Sequence, residues 1–264
     1  MRPLVGLALA VAAPAAAEPW TLGNSHAETV EASNSKPYRL LVAWPEGEPP
    51  ASGWPVLWLL DGEDNFAIAA VTARRLAGAG ARTGIEPGLI VGVESKTLAQ
   101  RVYDYTPQVP GYAIPEGLPA HGLRTGGGDA FLDALENELR PLIASRWSID
   151  PERQTLAGHS FGGLLAIHAL GTHRSFSAYA AISPSLWFGV GEWTAEGDPD
   201  APLLLARGTE ERAFAPADAV QSLAERRRAA KWPVEYAALD GHDHGTTMLA
   251  AMAAVIKAAF GRTM

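Results

Sequence analysis

Gln154-Thr-Leu-Ala-Gly-His-Ser-Phe-Gly-Gly163, running on through Leu164-Leu-Ala-Ile-His-Ala-Leu170 to Gly171, decides the reading of this chain. Gln154 to Ala157 reads as a short strand and Phe161 to Leu170 as a buried helix that stops at Gly171. Between them Gly158-His159-Ser160-Phe161-Gly162 fits G-x-S-x-G. A serine on a sharp strand-to-helix turn sits in a strained backbone, so glycines two residues to either side let strand and helix pass closely. Gly163 adds room for the helix to pack on a sheet. The pattern alone is common. Its strand–turn–helix setting makes Ser160 the candidate nucleophile, against the simpler reading of an ordinary turn.

Outward from this turn, strands and helices alternate, the signature of a mostly parallel sheet covered on both faces. Eight strands are expected, at His26–Ala32, Tyr38–Trp44, Val56–Leu60, Leu89–Val93, Gln154–Ala157, Ala178–Ile182, Leu203–Ala206 and Val234–Leu239. Helices are expected at Asp64–Leu76, Asp129–Ser145, Phe161–Leu170, Pro216–Lys231 and Thr247–Phe260, with Pro141 kinking or breaking the second. Residues 106–128 are rich in Pro and Gly and lack a period. They read as a loop or lid over the site with its tip at Thr125-Gly126-Gly127-Gly128.

A serine hydroxyl needs a base to attack at neutral pH. Of the seven histidines, those in Gly241-His242-Asp243-His244-Gly245 follow the eighth strand. In a fold whose chain order is Ser, acid, His, that loop carries the base. His244 is the first choice and His242 the reserve, against an inert surface turn or a metal site made of His242, Asp243 and His244. His159 is expected to point away from the hydroxyl, and His168 and His173 to pack or lie at the surface. The acid should follow the seventh strand, in Arg207-Gly208-Thr209-Glu210-Glu211. Glu211 is preferred and Glu210 is the alternative, with an ordinary acidic turn as the plain reading. The oxyanion hole should join the Phe161 amide to one near Gly62, in Leu60-Asp61-Gly62-Glu63-Asp64. Asp-Gly also favours a plain β-turn.

Composition sets the remaining bounds. The 264 residues suffice for one large α/β domain, read as residues 18–264. A net charge of -8 and the lack of any basic stripe argue against nucleic acid as a partner. The cluster Arg226-Arg227-Arg228 reads as a solvated helix face. With no cysteine, disulfides and thiol nucleophiles are excluded. Arg2, the apolar run Leu4–Ala13 and Ala15-Ala16-Ala17 form a signal peptide over residues 1–17. Its removal would leave no membrane anchor and place the chain in the periplasm or outside the cell.

Six motifs in order, Trp54-Pro-Val-Leu-Trp-Leu-Leu-Asp-Gly62, Arg101-Val-Tyr-Asp-Tyr-Thr-Pro107, Gly127-Gly-Asp-Ala-Phe-Leu132, Ala157-Gly-His-Ser-Phe-Gly-Gly163, Ser183-Pro-Ser-Leu-Trp187 and Asp240-Gly-His-Asp-His-Gly245, span nearly the whole mature chain. Together they resemble the putative esterase (esterase D-like) family, and within it the periplasmic siderophore esterases that cleave trilactones of the enterobactin type. The resemblance implies an α/β-hydrolase fold, a serine nucleophile, no cofactor and a small-molecule ester substrate. It also implies a pocket shaped by Arg101 and Asp104 and lined by Trp187. Arg101 would meet a substrate oxygen or charge there, or else pair structurally with Asp104. Tyr103 and Arg124 would add aromatic and cationic character. Some siderophore esterases work with a Ser–His dyad, and Gly-Thr-Glu-Glu departs from the Gly-Glu-Leu-Glu of close relatives. A general, carbohydrate-linked or feruloyl esterase, an acyltransferase, or a non-catalytic binding protein on the same scaffold are the alternatives.

Overall fold

The computed structural model describes residues 19–34, 36–172, 175–191, 197–211 and 219–262. The signal-peptide segment, His173 and Pro216–Asp218 of the expected fourth helix lie outside these residues.

Eight strands form one sheet: β1 (Ser25–Glu31), β2 (Pro37–Ala43), β3 (Trp54–Leu60), β4 (Leu89–Ser95), β5 (Ile149–His159), β6 (Ala178–Ile182), β7 (Leu203–Gly208) and β8 (Val234–Leu239). Their spatial order is β1-β2-β4-β3-β5-β6-β7-β8. Only β2 runs against the others, pairing antiparallel with β1 and with β4. This is the eight-stranded, mostly parallel sheet expected from the sequence. β3 and β6 are buried along their whole length, so their side chains read as unbroken apolar runs rather than alternating ones. β8, at the edge, is half exposed.

The helices are α1 (Gly62–Ala77), the short turn α2 (Gly80–Thr83), α3 (Leu98–Asp104), α4 (Gly128–Ala134), α5 (Arg140–Ala144), α6 (Phe161–Thr172), α7 (Ala219–Ala229) and α8 (Thr247–Phe260). The pleat sends successive residues of β3 to opposite faces. Leu57 and Leu59 join the core under α1 and α8, with Phe66, Met252 and Ile256. Val56, Trp58 and Leu60 join the larger core under α4 and α6, with Phe131, Leu164 and Leu165. A leucine buried as fully as Leu59 or Leu164 contributes about 2 kcal/mol. Trp58 carries a polar atom into this core and satisfies it: its indole N–H donates to Gln154 Oε1 at 2.7 Å.

Of the two outcomes expected at Pro141, a kink or a break, the break does not occur: residues Leu135–Leu139 widen into a π turn that links α4 to α5. Proline lacks the N–H of a normal turn and its ring crowds the carbonyl four residues back, and a wider turn just before it relieves both. The glycines at 126–128 are not the tip of the irregular segment. Gly126 N–H donates to Thr106 Oγ1, Gly127 N–H to the Tyr103 carbonyl and Gly128 N–H to the Thr106 carbonyl, at 2.8–3.0 Å, which closes the loop at its base. A Cβ on Gly127 would sit 2.2 Å from the Tyr103 ring.

Candidate active site

Between β3 and β5 the direction of sheet growth reverses, since the chain leaves β3 for β4 on one side while β5 lies on the other. Open α/β sheets bind ligands beyond the carboxyl ends of strands at such a point. Asp61 and Gly62 leave β3 here and Ser160 leaves β5.

Ser160 has φ 59°, a left-handed conformation that non-glycine residues seldom adopt. The turn is held on both sides: Ser160 N–H donates to the Ile182 carbonyl at 3.0 Å, and Leu164 N–H returns to the Ser160 carbonyl at 2.9 Å. The elbow glycines touch, because a Cβ on Gly158 would lie 2.4 Å from the Gly162 carbonyl carbon. Strain of this kind persists where the surrounding structure over-determines it, and it clusters at functional sites.

The loops after β7 and β8 bring an acid to a histidine. Glu211 Oε2 lies 3.3 Å from His244 Nδ1. Glu211 Oε1 accepts from Ser183 Oγ at 2.5 Å and from Gly208 N–H at 2.7 Å. Burial opposes ionisation of Glu211, yet the hydrogen bonds from His244, Ser183 and Gly208 outweigh it and hold the carboxyl below its ordinary value. With Nδ1 facing the acid, Nε2 is the nitrogen of His244 left for a hydroxyl. The alternatives at these two positions fall elsewhere: Glu210 is exposed, and His242 Nδ1 faces Thr246 Oγ1 at 3.2 Å.

Gly62 and Phe161 head α1 and α6, and the first N–H groups of a helix have no intrahelical acceptor. Their turns adjoin, since a Cβ on Gly162 would meet Leu60 Cβ at 3.4 Å and Asp61 Oδ2 at 3.5 Å. Asp61 is itself left-handed, with φ 55°.

Arg101 is not paired with Asp104. Its guanidinium forks onto Asp61, Nε to Oδ1 at 2.5 Å and Nη2 to Oδ2 at 2.7 Å, and Nη2 also donates to the His159 carbonyl at 3.5 Å. Asp104 is 0% exposed and bonded to Lys36 Nζ and Tyr38 Oη, so it has no surface to offer a ligand. The two residues sit three apart on α3, but their side chains reach different partners. Trp187 stands edge-on to Phe161 with ring centroids 5.5 Å apart. Tyr103 has Lys36 Nζ 4.2 Å and Arg124 Cζ 5.1 Å from its ring centre, beside a cavity of about 600 Å³ that all three line. A second cavity, of about 400 Å³, lies near Trp44, Arg74 and Gly88 by the amino end of β4, at the opposite end of the parallel strands from Ser160.

Three residues, His159, Ser183 and Ser185, make contacts that no local pattern in the sequence signals. His159 lies against His244 with ring centroids 4.5 Å apart, and its Nε2 is 3.3 Å from Thr247 Oγ1. Burial, then the neighbouring His244, depress its pKa to about 4, so the ring is neutral near pH 7. Ser183, left-handed with φ 45°, bonds both Glu211 and Thr247 Oγ1. Ser185 Oγ lies 3.2 Å from Ser160 Oγ. The motif Ser183-Pro-Ser-Leu-Trp187 marked this segment, but nothing local to it gave the partners of its serines.

A family model described as "Putative esterase" matches residues 32–251. The siderophore triacetylfusarinine C esterase of Aspergillus fumigatus is 36% identical over 182 residues, which are 64% of this chain and 59% of that one. The ferri-bacillibactin esterase BesA of Bacillus subtilis is 32% identical over 164 residues, 58% of this chain and 55% of that one. The chain thus spans little more than half the length of these two relatives. Among solved structures, the BES protein of Bacillus cereus superposes with a TM-score of 0.83 at 26% identity, covering 93% of this chain and 99% of that one.

Proposed function

Since the chain belongs to the putative esterase family, we propose that it is a serine esterase of the α/β-hydrolase fold that cleaves the ester bonds of a siderophore, a trilactone being the first substrate to try. One observation carries the reading: Glu211 and His244, 3.3 Å apart, stand on the loops that follow β7 and β8, while a left-handed Ser160 closes β5. The names of the relatives supply the substrate class, and the cations and rings of Arg124, Lys36 and Tyr103 suit an anionic aromatic ligand.

In this mechanism His244 Nε2 takes the Ser160 proton as Oγ attacks the ester carbonyl, and Glu211 stabilises the imidazolium through Nδ1. The Phe161 and Gly62 amides receive the negative charge on the carbonyl oxygen. His244 then protonates the leaving alkoxide, and water, activated by the same imidazole, releases the acyl group. Trp187, against Phe161, and residues 106–128, whose Tyr112 meets Phe188 with ring centroids 4.8 Å apart, are the proposed wall of the substrate pocket.

We further propose that residues 1–17 direct export and are removed. Among the described residues no helix is long and apolar enough to cross a membrane. An amino-terminal sequence beginning at Glu18 in the exported protein is the expected result.

The test of function is hydrolysis of an iron-free catecholate trilactone against p-nitrophenyl butyrate. Higher efficiency on the trilactone, with both activities lost in Ser160→Ala, is expected. Turnover of the simple ester alone would discard the siderophore reading, and activity retained in Ser160→Ala would discard the nucleophile.

A further inference from the structure

Ser185 is 3% exposed, and among the described residues its hydroxyl has a single hydrogen-bond partner, the Ser160 Oγ at 3.2 Å. The backbone locks the same two residues together: Ser185 N–H donates to the Ser160 carbonyl at 3.0 Å. A buried hydroxyl is costly unless bonded, and this one is bonded to the atom that is to react. The contact is longer than the usual O–H···O bond of about 2.8 Å, so it leaves Ser160 Oγ free to turn towards a base.

We propose that Ser185 is a catalytic residue whose hydroxyl donates to Ser160 Oγ and stabilises the charge that this oxygen carries as it forms and leaves its bond to the acyl group. The inference rests on the esterase reading above. In acylation the Ser160 proton passes to His244, the Oγ–carbon bond forms, and the alcohol departs with that proton. In deacylation water attacks the acyl carbon and gives its proton to His244. The Oγ–carbon bond breaks with its electron pair going to Oγ, and His244 returns the proton there. Throughout, Ser185 keeps its own proton and points it at Oγ. The alkoxide of a serine is a poor leaving group, so the donated bond matters most in deacylation. With an activated ester, whose own leaving group departs readily, deacylation is the step that loss of Ser185 exposes.

The geometry also explains the segment that holds the residue. Ser183-Pro184-Ser185 follows β6, between the nucleophile's strand and the acid's strand. One serine of the pair satisfies Glu211 and the other meets Ser160. A Cβ on Gly163 would lie 3.1 Å from Pro184 Cα, so α6 packs directly on this segment and fixes its distance from the elbow.

The experiment compares wild type, Ser185→Ala and Ser185→Cys on p-nitrophenyl butyrate, with rates expressed per site labelled by a fluorophosphonate. Cysteine fills the space but donates weakly. Both variants are expected to lose about tenfold in kcat, below the 10²–10³ that removal of an oxyanion-hole donor costs. Both are also expected to release a burst of p-nitrophenol approaching one equivalent per labelled site, as the acyl-enzyme accumulates. Wild-type kcat and burst in either variant overturns the proposal, as does a lower kcat with no change in burst, which is the mark of mere disorder around Ser160. If alanine prevents folding, the cysteine variant alone decides by the same criteria. Absence of both turnover and labelling in the wild type overturns the esterase reading itself, and this inference with it.

Discussion

Acidification should unload stability through one imidazole, and His159→Gln should remove that dependence. The His159 ring has its pKa depressed from 6.5 to about 4, first by burial and then by His244, so the folded state holds it neutral while the unfolded chain protonates it. The unfolded state therefore binds more protons between those two values, and stability must fall as pH falls through that window. Moving from pH 7 to pH 4.5 should cost about 2 kcal/mol through this group alone. Glutamine does not titrate, and it retains an amide for Thr247 Oγ1, which now accepts or donates to His159 Nε2 at 3.3 Å. The groups facing the ring are His244, Arg101 and Glu211, all present in both proteins. Urea unfolding of wild type and His159→Gln at both pH values isolates the term: the wild type should lose about 2 kcal/mol more than the variant on acidification. Equal losses would refute the argument, for they would mean that the ring is as open to protonation when folded as when unfolded.

Two further outcomes follow from the site. Glu211→Gln keeps the shape but removes the charge that stabilises the imidazolium, and should lower kcat by at least 10²-fold with little change in KM; steady-state kinetics on p-nitrophenyl butyrate, with a rate near wild type marking a working Ser–His dyad, is the check. Gly158→Ala forces a Cβ to within 2.4 Å of the Gly162 backbone, where no flexible side chain can yield. It should destabilise by about 2 kcal/mol or more, seen as a lowered thermal midpoint together with slower fluorophosphonate labelling of Ser160.

Much of the candidate site was legible because its parts obey strand order. Ser160, Glu211 and His244, the proposed nucleophile, acid and base, stand on the turns after β5, β7 and β8, and each turn announces itself by a glycine beside a polar residue. Even Glu211 over Glu210 has a local reason, since Gly208 N–H can reach back to a carboxylate three residues on. Helix α3 escaped because it has only seven residues and no full apolar period. Its one local signal was Thr97, whose hydroxyl caps the Gln100 N–H at 3.1 Å. The contacts of His159, Ser183 and Ser185 could not be read at all. Each joins segments distant in sequence, and no period or spacing in one segment encodes what another places beside it.

Arg101 shows how far such a contact changes a role. The family resemblance suggests a substrate ligand at Arg101, and its neighbour Asp104 suggests the ion pair. The fold separates them: Asp104 turns into the core toward Lys36 and Tyr38, while Arg101 meets Asp61 with two of its donors. Its third side-chain hydrogen bond goes to the carbonyl of His159. One guanidinium therefore ties together the two left-handed turns, at Asp61 and at Ser160, that carry the Gly62 and Phe161 amides. Burial works against that charge, and the bidentate bond to Asp61 more than restores it. The cation's charge is met before any ligand arrives, and what it offers first is a fixed spacing between the two turns whose amides are proposed to hold the oxyanion.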